Sequence, residues 1–221
     1  MGANGAVTIY RPLVTESQSS SERIKLINGG ESIEAGWMVN PEVFNDTDAH
    51  LYGSFTARGR HCVNTYCAGF VQLSRSITLG VATPRYSTVG GTQFVWHLSI
   101  EKEQDGNWWL FLMTPEKVGI GYWPRHLFIG LANTANQVEW GGEVNNPGPT
   151  SPPPQMGHGG KARYDTQLSA LFLQASVIVD ESRRSVSPPD TEKVMDCVGW
   201  YTVLDAGDQG NSLGRLIFFG G

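Results

Sequence analysis

Two glutamates, Glu34 and Glu143, stand beside glycines in segments that alternate in polarity. Along a β-strand, alternate side chains lie on the same face, so Glu34 shares a face with Gly36 and is separated from its apolar neighbours. The same alternation places Glu143 and Gly141 on one face of the segment Gln137–Asn145. Because glycine inside a strand often marks the close approach of a ligand or another backbone, both faces are candidate binding surfaces.

Paired carboxyl groups on one surface can catalyse hydrolysis. Two neighbouring carboxyl groups do not both ionise readily, so one retains a proton while the other is charged. The charged group can take a proton from water, and the protonated group can donate to a carbonyl oxygen or a leaving amine. From these residues alone, the alternative that each glutamate is simply solvated on an open sheet face is equally well supported.

Short strands are the elements that must position these glutamates. About a dozen strand-like segments separated by turn signals follow one another, and no amphipathic helix of three or more turns is present. This pattern predicts an all-β fold, an antiparallel β-sandwich, as one domain over residues 1–221. The predicted strands include 77–82 and 161–168, and the predicted surface loops include 18–22 and 147–154.

Composition and motifs exclude several functional classes. Charged residues make up 17% of the chain and the formal net charge is −5, with no basic patch of the kind that binds nucleic acid. No apolar run is long enough to predict a membrane span. The histidines lack the spacing of zinc peptidases, and no G-x-S-x-G segment supports a serine nucleophile. We therefore expect neither a metal nor a cofactor.

Three cysteines are present. Cys62 and Cys67 are separated by four residues, a spacing that suits a local disulfide better than a zinc site or two free thiols. Cys197 is left over, so it is either a free thiol or paired outside this chain.

Six segments of the chain resemble the neprosin family, secreted glutamic peptidases that cleave after proline. They keep the family's order: Ile33–Trp37, Cys62–Phe70, Gly106–Leu110, Gly119–Pro124, Val138–Val144 and Gln155–Gly159. The resemblance implies a substrate groove across one sheet of the sandwich and a catalytic pair at Glu34 and Glu143. It also implies attack by water without a covalent intermediate, and we favour Glu143 as the base.

The resemblance further implies a substrate and partners. Proline before the cleaved bond would be held by aromatic side chains beside a glycine-lined groove, for which the candidates are Trp37, Tyr52, Tyr122, Trp123, Gly141 and Gly142. The partners would be proline-rich peptides or proteins and the chain's own pro-region, in a secreted or vacuolar precursor. We expect this chain to be the catalytic domain, with the pro-region absent and the C-terminus trimmed before the family's last cysteine.

Two other functions fit the same residues. Paired carboxylates with aromatic side chains also occur in glycosidases, so a glycan-active or glycan-binding sandwich is one alternative. A catalytically silent member of the family is the other. The peptidase hypothesis requires the carboxyl groups of Glu34 and Glu143 to lie within about one water molecule of each other.

Overall fold

The computed structural model describes residues 1–148, 152–180 and 182–221, so residues 149–151 of the predicted loop 147–154 lie outside the described part. The described chain contains fourteen strands, one short helix and one 3₁₀ turn at Arg125–Leu127. The strands and the helix are β1 Gly2–Thr8, β2 Ser19–Asn28, β3 Glu31–Val39, α1 Pro41–Phe44, β4 His50–Ala57, β5 Arg60–Val63, β6 Val71–Gln72, β7 Val95–Lys102, β8 Trp108–Thr114, β9 Glu116–Trp123, β10 Gln137–Asn145, β11 Ala170–Ile178, β12 Ser185–Val186, β13 Thr202–Asp208 and β14 Arg215–Gly220.

The strands form two antiparallel sheets that pack face to face. The nine-stranded sheet has the order β13-β14-β11-β1-β7-β8-β9-β6, with β12 paired to β11, and the five-stranded sheet has the order β10-β2-β3-β4-β5. The predicted all-β antiparallel sandwich is therefore confirmed. No helix in the described ranges is both long and apolar enough to cross a membrane.

Alternation along the strands separates the core between the sheets from their outer faces. On β3, Ile33 and Trp37 are completely buried in this core. The Trp37 indole Nε1–H donates to the carbonyl oxygen of Thr8 on β1 at 2.9 Å, and that of Trp140 donates to the carbonyl oxygen of Asn4 at 3.1 Å. These hydrogen bonds join the two sheets, so the outer face of β3 has a fixed position.

Three secondary-structure predictions are wrong. Residues 19–22 form the start of β2 instead of a loop, and residues 77–82 contain only an isolated bridge at Ala82. Residues 161–168 form no strand, because the Asp165 carboxylate accepts hydrogen bonds from the backbone N–H groups of Gln167 and Leu168. Such a local side-chain turn competes with extended pairing.

The predicted disulfide between Cys62 and Cys67 is present and closes the turn that follows β5. Cys197 is a free thiol on the surface. A disulfide is typical of proteins that fold in an oxidising compartment.

Candidate active site

Strand β2 lies between the two strands that carry the glutamates, and it contributes a basic side chain to the same face. Arg23 of β2 is directly opposite Gly36 of β3 on one side and Gly141 of β10 on the other. The side of Arg23 toward Gly141 is open, because nothing lies within 4 Å of the position where a Cβ of Gly141 would stand. This face points away from the nine-stranded sheet, and we call it the outer face of the five-stranded sheet.

Arg23 binds both glutamates at once. Its Nε donates to Oε2 of Glu34 at 2.9 Å, and its Nη2 forms an ion pair with Oε2 of Glu143. The two carboxylates therefore lie close together, because each contacts a different nitrogen on the same planar guanidinium. A planar fork of fixed donors holds its acceptors in a defined orientation, so the pair is preorganised.

Glu34 is buried and fully engaged. Oε1 accepts hydrogen bonds from Ser54 Oγ at 2.9 Å and from the Tyr52 hydroxyl at 3.3 Å, while Lys25 Nζ lies 3.5 Å from Oε2. Burial alone would raise the pKa of Glu34, but Arg23, Lys25 and the hydrogen bonds outweigh it and hold that pKa below the ordinary value. Glu34 therefore stays ionised toward acid pH.

Glu143 faces solvent. Its side chain is 55% exposed, compared with 11% for Glu34. A third carboxylate, that of Glu139, is 3.7 Å from Arg23 Nη2. Burial opposes the charge of Arg23, but the three glutamates around it prevail and raise its pKa, so the guanidinium is a permanent cation.

The counter-ion changes the electrostatics expected from the sequence. Two bare carboxylates would repel each other and compete for a proton, whereas here the guanidinium of Arg23 lies between them. The attraction of Arg23 helps to keep the pKa of Glu34 low, so Glu34 stays charged toward acid pH. Within the described part of the chain, no group of three or more histidine, cysteine, aspartate or glutamate side chains is arranged to hold a metal ion.

The glycines near the glutamates have different roles. A Cβ at Gly36 would overlap the carbonyl oxygen of Glu22, so glycine is required there by close packing of two backbones and leaves no open space. At Gly141 a Cβ would meet nothing within 4 Å, and its φ of 153° favours glycine. Gly142 faces the core and packs against Met156. Of the two glycines predicted to line the groove, only Gly141 lies on the same face as the carboxylates.

The aromatic side chains predicted to hold proline are mostly elsewhere. Trp37 and Trp123 are completely buried in the core, so neither can touch a substrate on the outer face. Tyr122 lies on β9 in the nine-stranded sheet, with its ring 5.0 Å from that of Trp109. Tyr52 does reach the pair through its hydroxyl, but its ring is fully buried, so it positions Glu34.

Three residues of the site were not predicted from the sequence: Arg23, Lys25 and Ser54. Alternation carried a signal for two of them, because Arg23 and Lys25 occupy every second position of an otherwise apolar run, on the polar face. A basic residue on the polar face of a strand can be the counter-ion of both glutamates when that strand lies between the two strands that carry them. The strand order that makes this visible is known only from the structure.

Comparison with protein families adds to this geometry. The model of the Neprosin family matches residues 16–221, which include β2, β3 and β10. The chain belongs to the Neprosin family. Since this family is peptidase-related, membership supports a hydrolase as the broad functional class of the chain.

Proposed function

We propose that this chain is a glutamic endopeptidase that hydrolyses peptide bonds after proline at acid pH, with Glu34 and Glu143 as its catalytic pair. The observation that carries the proposal is the binding of both carboxylates by the single guanidinium of Arg23. A counter-ion that holds two acids from distant strands together gives the short separation that a water-activating pair requires. Membership in a peptidase-related family supports the same chemistry.

The environments of the two glutamates suggest their roles. Glu34, whose pKa is lowered, is the ionised base that accepts a proton from the attacking water. Glu143, open to solvent, carries the proton that supports the carbonyl oxygen and then passes to the leaving amine. This assignment is the reverse of the one favoured from sequence, because the structure buries Glu34 among donors and leaves Glu143 able to exchange protons with water.

The proposed reaction is balanced without a covalent intermediate. Water adds its oxygen to the carbonyl carbon and gives a proton to Glu34, while Glu143 gives its proton to the departing nitrogen. The C–N bond breaks, and the products are a carboxylic acid and an amine. Proton exchange with solvent then returns Glu34 to its charged form and Glu143 to its acid form.

An apolar patch beside the pair is a candidate subsite for proline. Met38 of β3 lies on the outer face, opposite Ser21 of β2, which is in turn opposite Glu143. The Phe44 ring stacks on His50 at 4.0 Å, and His50 is the residue opposite Met38 on β4. Met38 and Phe44 remain partly exposed and could contact the flat, apolar ring of proline.

The proposal includes partners and a location. Proline-rich peptides or proteins would be the substrates, and the pro-region of the precursor would be the partner that covers the pair before activation. A secreted or vacuolar location fits the disulfide between Cys62 and Cys67 and an acid-dependent reaction.

Cleavage of a proline-containing peptide between pH 3 and pH 7 tests the proposed function. Products are identified by mass spectrometry for the wild type, Glu34→Gln and Glu143→Gln. Each substitution removes a proton-transfer group but keeps its shape, so we expect kcat to fall by about 10²- to 10⁴-fold. Glu116→Gln, a matched change at an exposed site on β9, is the control and should cleave like the wild type.

Three outcomes contradict the proposal. Undiminished cleavage by both glutamate variants would exclude the pair. Cleavage of soluble glycans with no cleavage of peptides would favour the glycosidase alternative. No turnover of either substrate class, from a folded protein at any pH tested, would indicate a catalytically silent family member.

A further inference from the structure

A second cleft lies on the opposite side of the sandwich from the glutamate pair, on the outer face of the nine-stranded sheet. Trp109 and Phe111 of β8 form its floor, and Glu103, Gln104 and Asp105 from the turn before β8 form its rim. Its volume is about 420 Å³, within the range of small-molecule sites. We call it the aromatic cleft; the proposed peptidase reaction uses none of its residues.

The aromatic rings of the cleft lie over Gly119 of the sheet. A Cβ at Gly119 on β9 would stand 3.5 Å from Trp109 Cζ3 and 3.6 Å from Phe111 Cε1, so both rings cover this position. The two ring planes differ by only 16°, with centroids 6.0 Å apart, and the Tyr122 ring continues the row 5.0 Å from Trp109. Trp109 and Phe111 thus form a nearly parallel pair of rings over the sheet, which we call the aromatic strip, and Tyr122 extends it with a tilt of 33°.

The two cations around the strip are already paired with glutamates. Lys117 Nζ lies 4.0 Å from the Phe111 ring centroid and 2.6 Å from the carboxylate of Glu101. Arg183 is paired with Glu103. Both cations of the cleft are therefore paired, whereas the carboxylate of Asp105 has no ion pair among the described residues. An anionic ligand would have to break an ion pair and would be repelled by Asp105, so the cleft favours a ligand without negative charge.

The rim offers mainly hydrogen-bond acceptors. Asp105 Oδ2 accepts the indole N–H of Trp109 at 3.2 Å and the side-chain N–H of Asn107 at 2.9 Å, and the other carboxylate, that of Glu103, lies beside it. The exposed amide of Gln104 makes no hydrogen bond to any described residue, so both its oxygen and its nitrogen can bind a ligand. A matching ligand has an apolar face and several hydroxyl groups at its edge.

We propose that the aromatic cleft binds a neutral polysaccharide, with a hexopyranose ring stacked on Trp109 and its hydroxyl groups held by Gln104, Asp105 and Glu103. The C–H face of a pyranose ring is weakly positive and complements the negative face of an aromatic ring. The hydroxyl groups at its edge donate to carboxylate oxygens and exchange hydrogen bonds with an amide.

A proline-rich peptide fits this cleft less well. Aromatic grooves do bind polyproline helices, but such a peptide presents carbonyl acceptors and few N–H donors. The Trp109 indole N–H, which could donate to a carbonyl, is already bound to Asp105. The carboxylates of the rim would face the peptide's carbonyl oxygens and repel them.

Native affinity electrophoresis in gels containing hydroxyethylcellulose, a soluble neutral glucan derivative, tests the proposal. We expect the wild type to be retarded and Trp109→Ala to bind at least about tenfold more weakly, as expected when an aromatic anchor is removed. Trp109→Phe keeps an aromatic ring and should bind nearly as well as the wild type. Trp200→Ala removes an equally large exposed indole outside the cleft and should leave retardation unchanged.

A second variant covers the case in which Trp109→Ala fails to fold, as judged by circular dichroism and Tm. Gln104 is exposed on a turn, so Gln104→Ala should fold and weaken retardation several-fold. A wild type that is not retarded, or equal retardation of all variants, would overturn the proposal. A proline-rich peptide that shifts tryptophan fluorescence only when Trp109 is present, without glucan binding, would overturn the ligand class. Glu34→Gln should bind glucan normally, which keeps this test independent of the peptidase proposal.

Discussion

Replacing Glu22 by glutamine should make the stability of the protein less dependent on pH. Glu22 lies on the core face of β2 and is completely buried. Neither of its carboxyl oxygens has a hydrogen-bond partner among the described residues, and Gly157 packs close to Oε1. Removal of the carboxyl group from water raises the pKa of Glu22 well above its ordinary value, so the folded protein holds this side chain protonated.

The sign and the size of the effect follow from proton linkage. An unfolded glutamate releases its proton near pH 4.3, whereas the folded protein retains the proton on Glu22 to higher pH. Between these two pKa values the folded state binds one more proton, so the free energy of unfolding falls by about 1.4 kcal/mol for each pH unit. Glutamine cannot ionise, so the variant should gain that amount over the wild type from pH 5 to pH 6, or about 3 to 6 °C in Tm.

Urea unfolding followed by tryptophan fluorescence at pH 4, 5 and 6 measures this difference. Other ionisable groups contribute equally to both proteins, so their effects cancel in the difference between the two free energies of unfolding. Glu34 is one of these groups: because its pKa is lowered, its charge stabilises the folded state above that pKa. Glu116→Gln, the same substitution at an exposed position, is the matched control. Parallel stability curves for Glu22→Gln and the wild type would refute the reasoning, because they would show that Glu22 binds no extra proton in the folded state.

Three further changes test other parts of the structure. Arg23→Gln removes the largest attraction that lowers the pKa of Glu34, so the acid limb of the pH–rate profile should move to higher pH; an unmoved limb would contradict this role. Replacing Cys62 and Cys67 by serine opens a short loop, which should cost about 2 kcal/mol in urea unfolding, and no loss would show that the link is dispensable. Gly36→Ala pushes a Cβ into a backbone carbonyl of β2 and should cost at least about 3 kcal/mol; near-native unfolding would show that the strands can separate.

The fold class could be predicted because alternation and turn signals are local. The start of β2 could not, because a run of serines has little preference for extended structure on its own. In the folded protein those residues pair with β3 on one side and β10 on the other, and tertiary pairing overrides the local preference. The role of Arg23 could not be predicted either, because the neighbours of β2 in the sheet follow only from the strand order.

The outward face of Glu34 and Glu143 was predictable from alternation, but the way they approach each other was not. The prediction that Tyr122 and Trp123 both flank the substrate has a different origin. They are neighbours on β9, so alternation alone places their side chains on opposite faces of the sheet. In the structure Trp123 is buried in the core, and Tyr122 packs beside Trp109 on the outer face.

A double-mutant cycle in single-turnover cleavage tests the central claim most directly. The rates of wild type, Glu34→Gln, Glu143→Gln and the double variant are compared on one proline-containing peptide at acid pH. Residues that act as one unit show strongly non-additive losses, so each single variant should lose nearly all of the catalysis and the double variant should lose little more. Losses that simply add, or singles that cleave at the wild-type rate, would contradict the account of a joined Glu34–Arg23–Glu143 site.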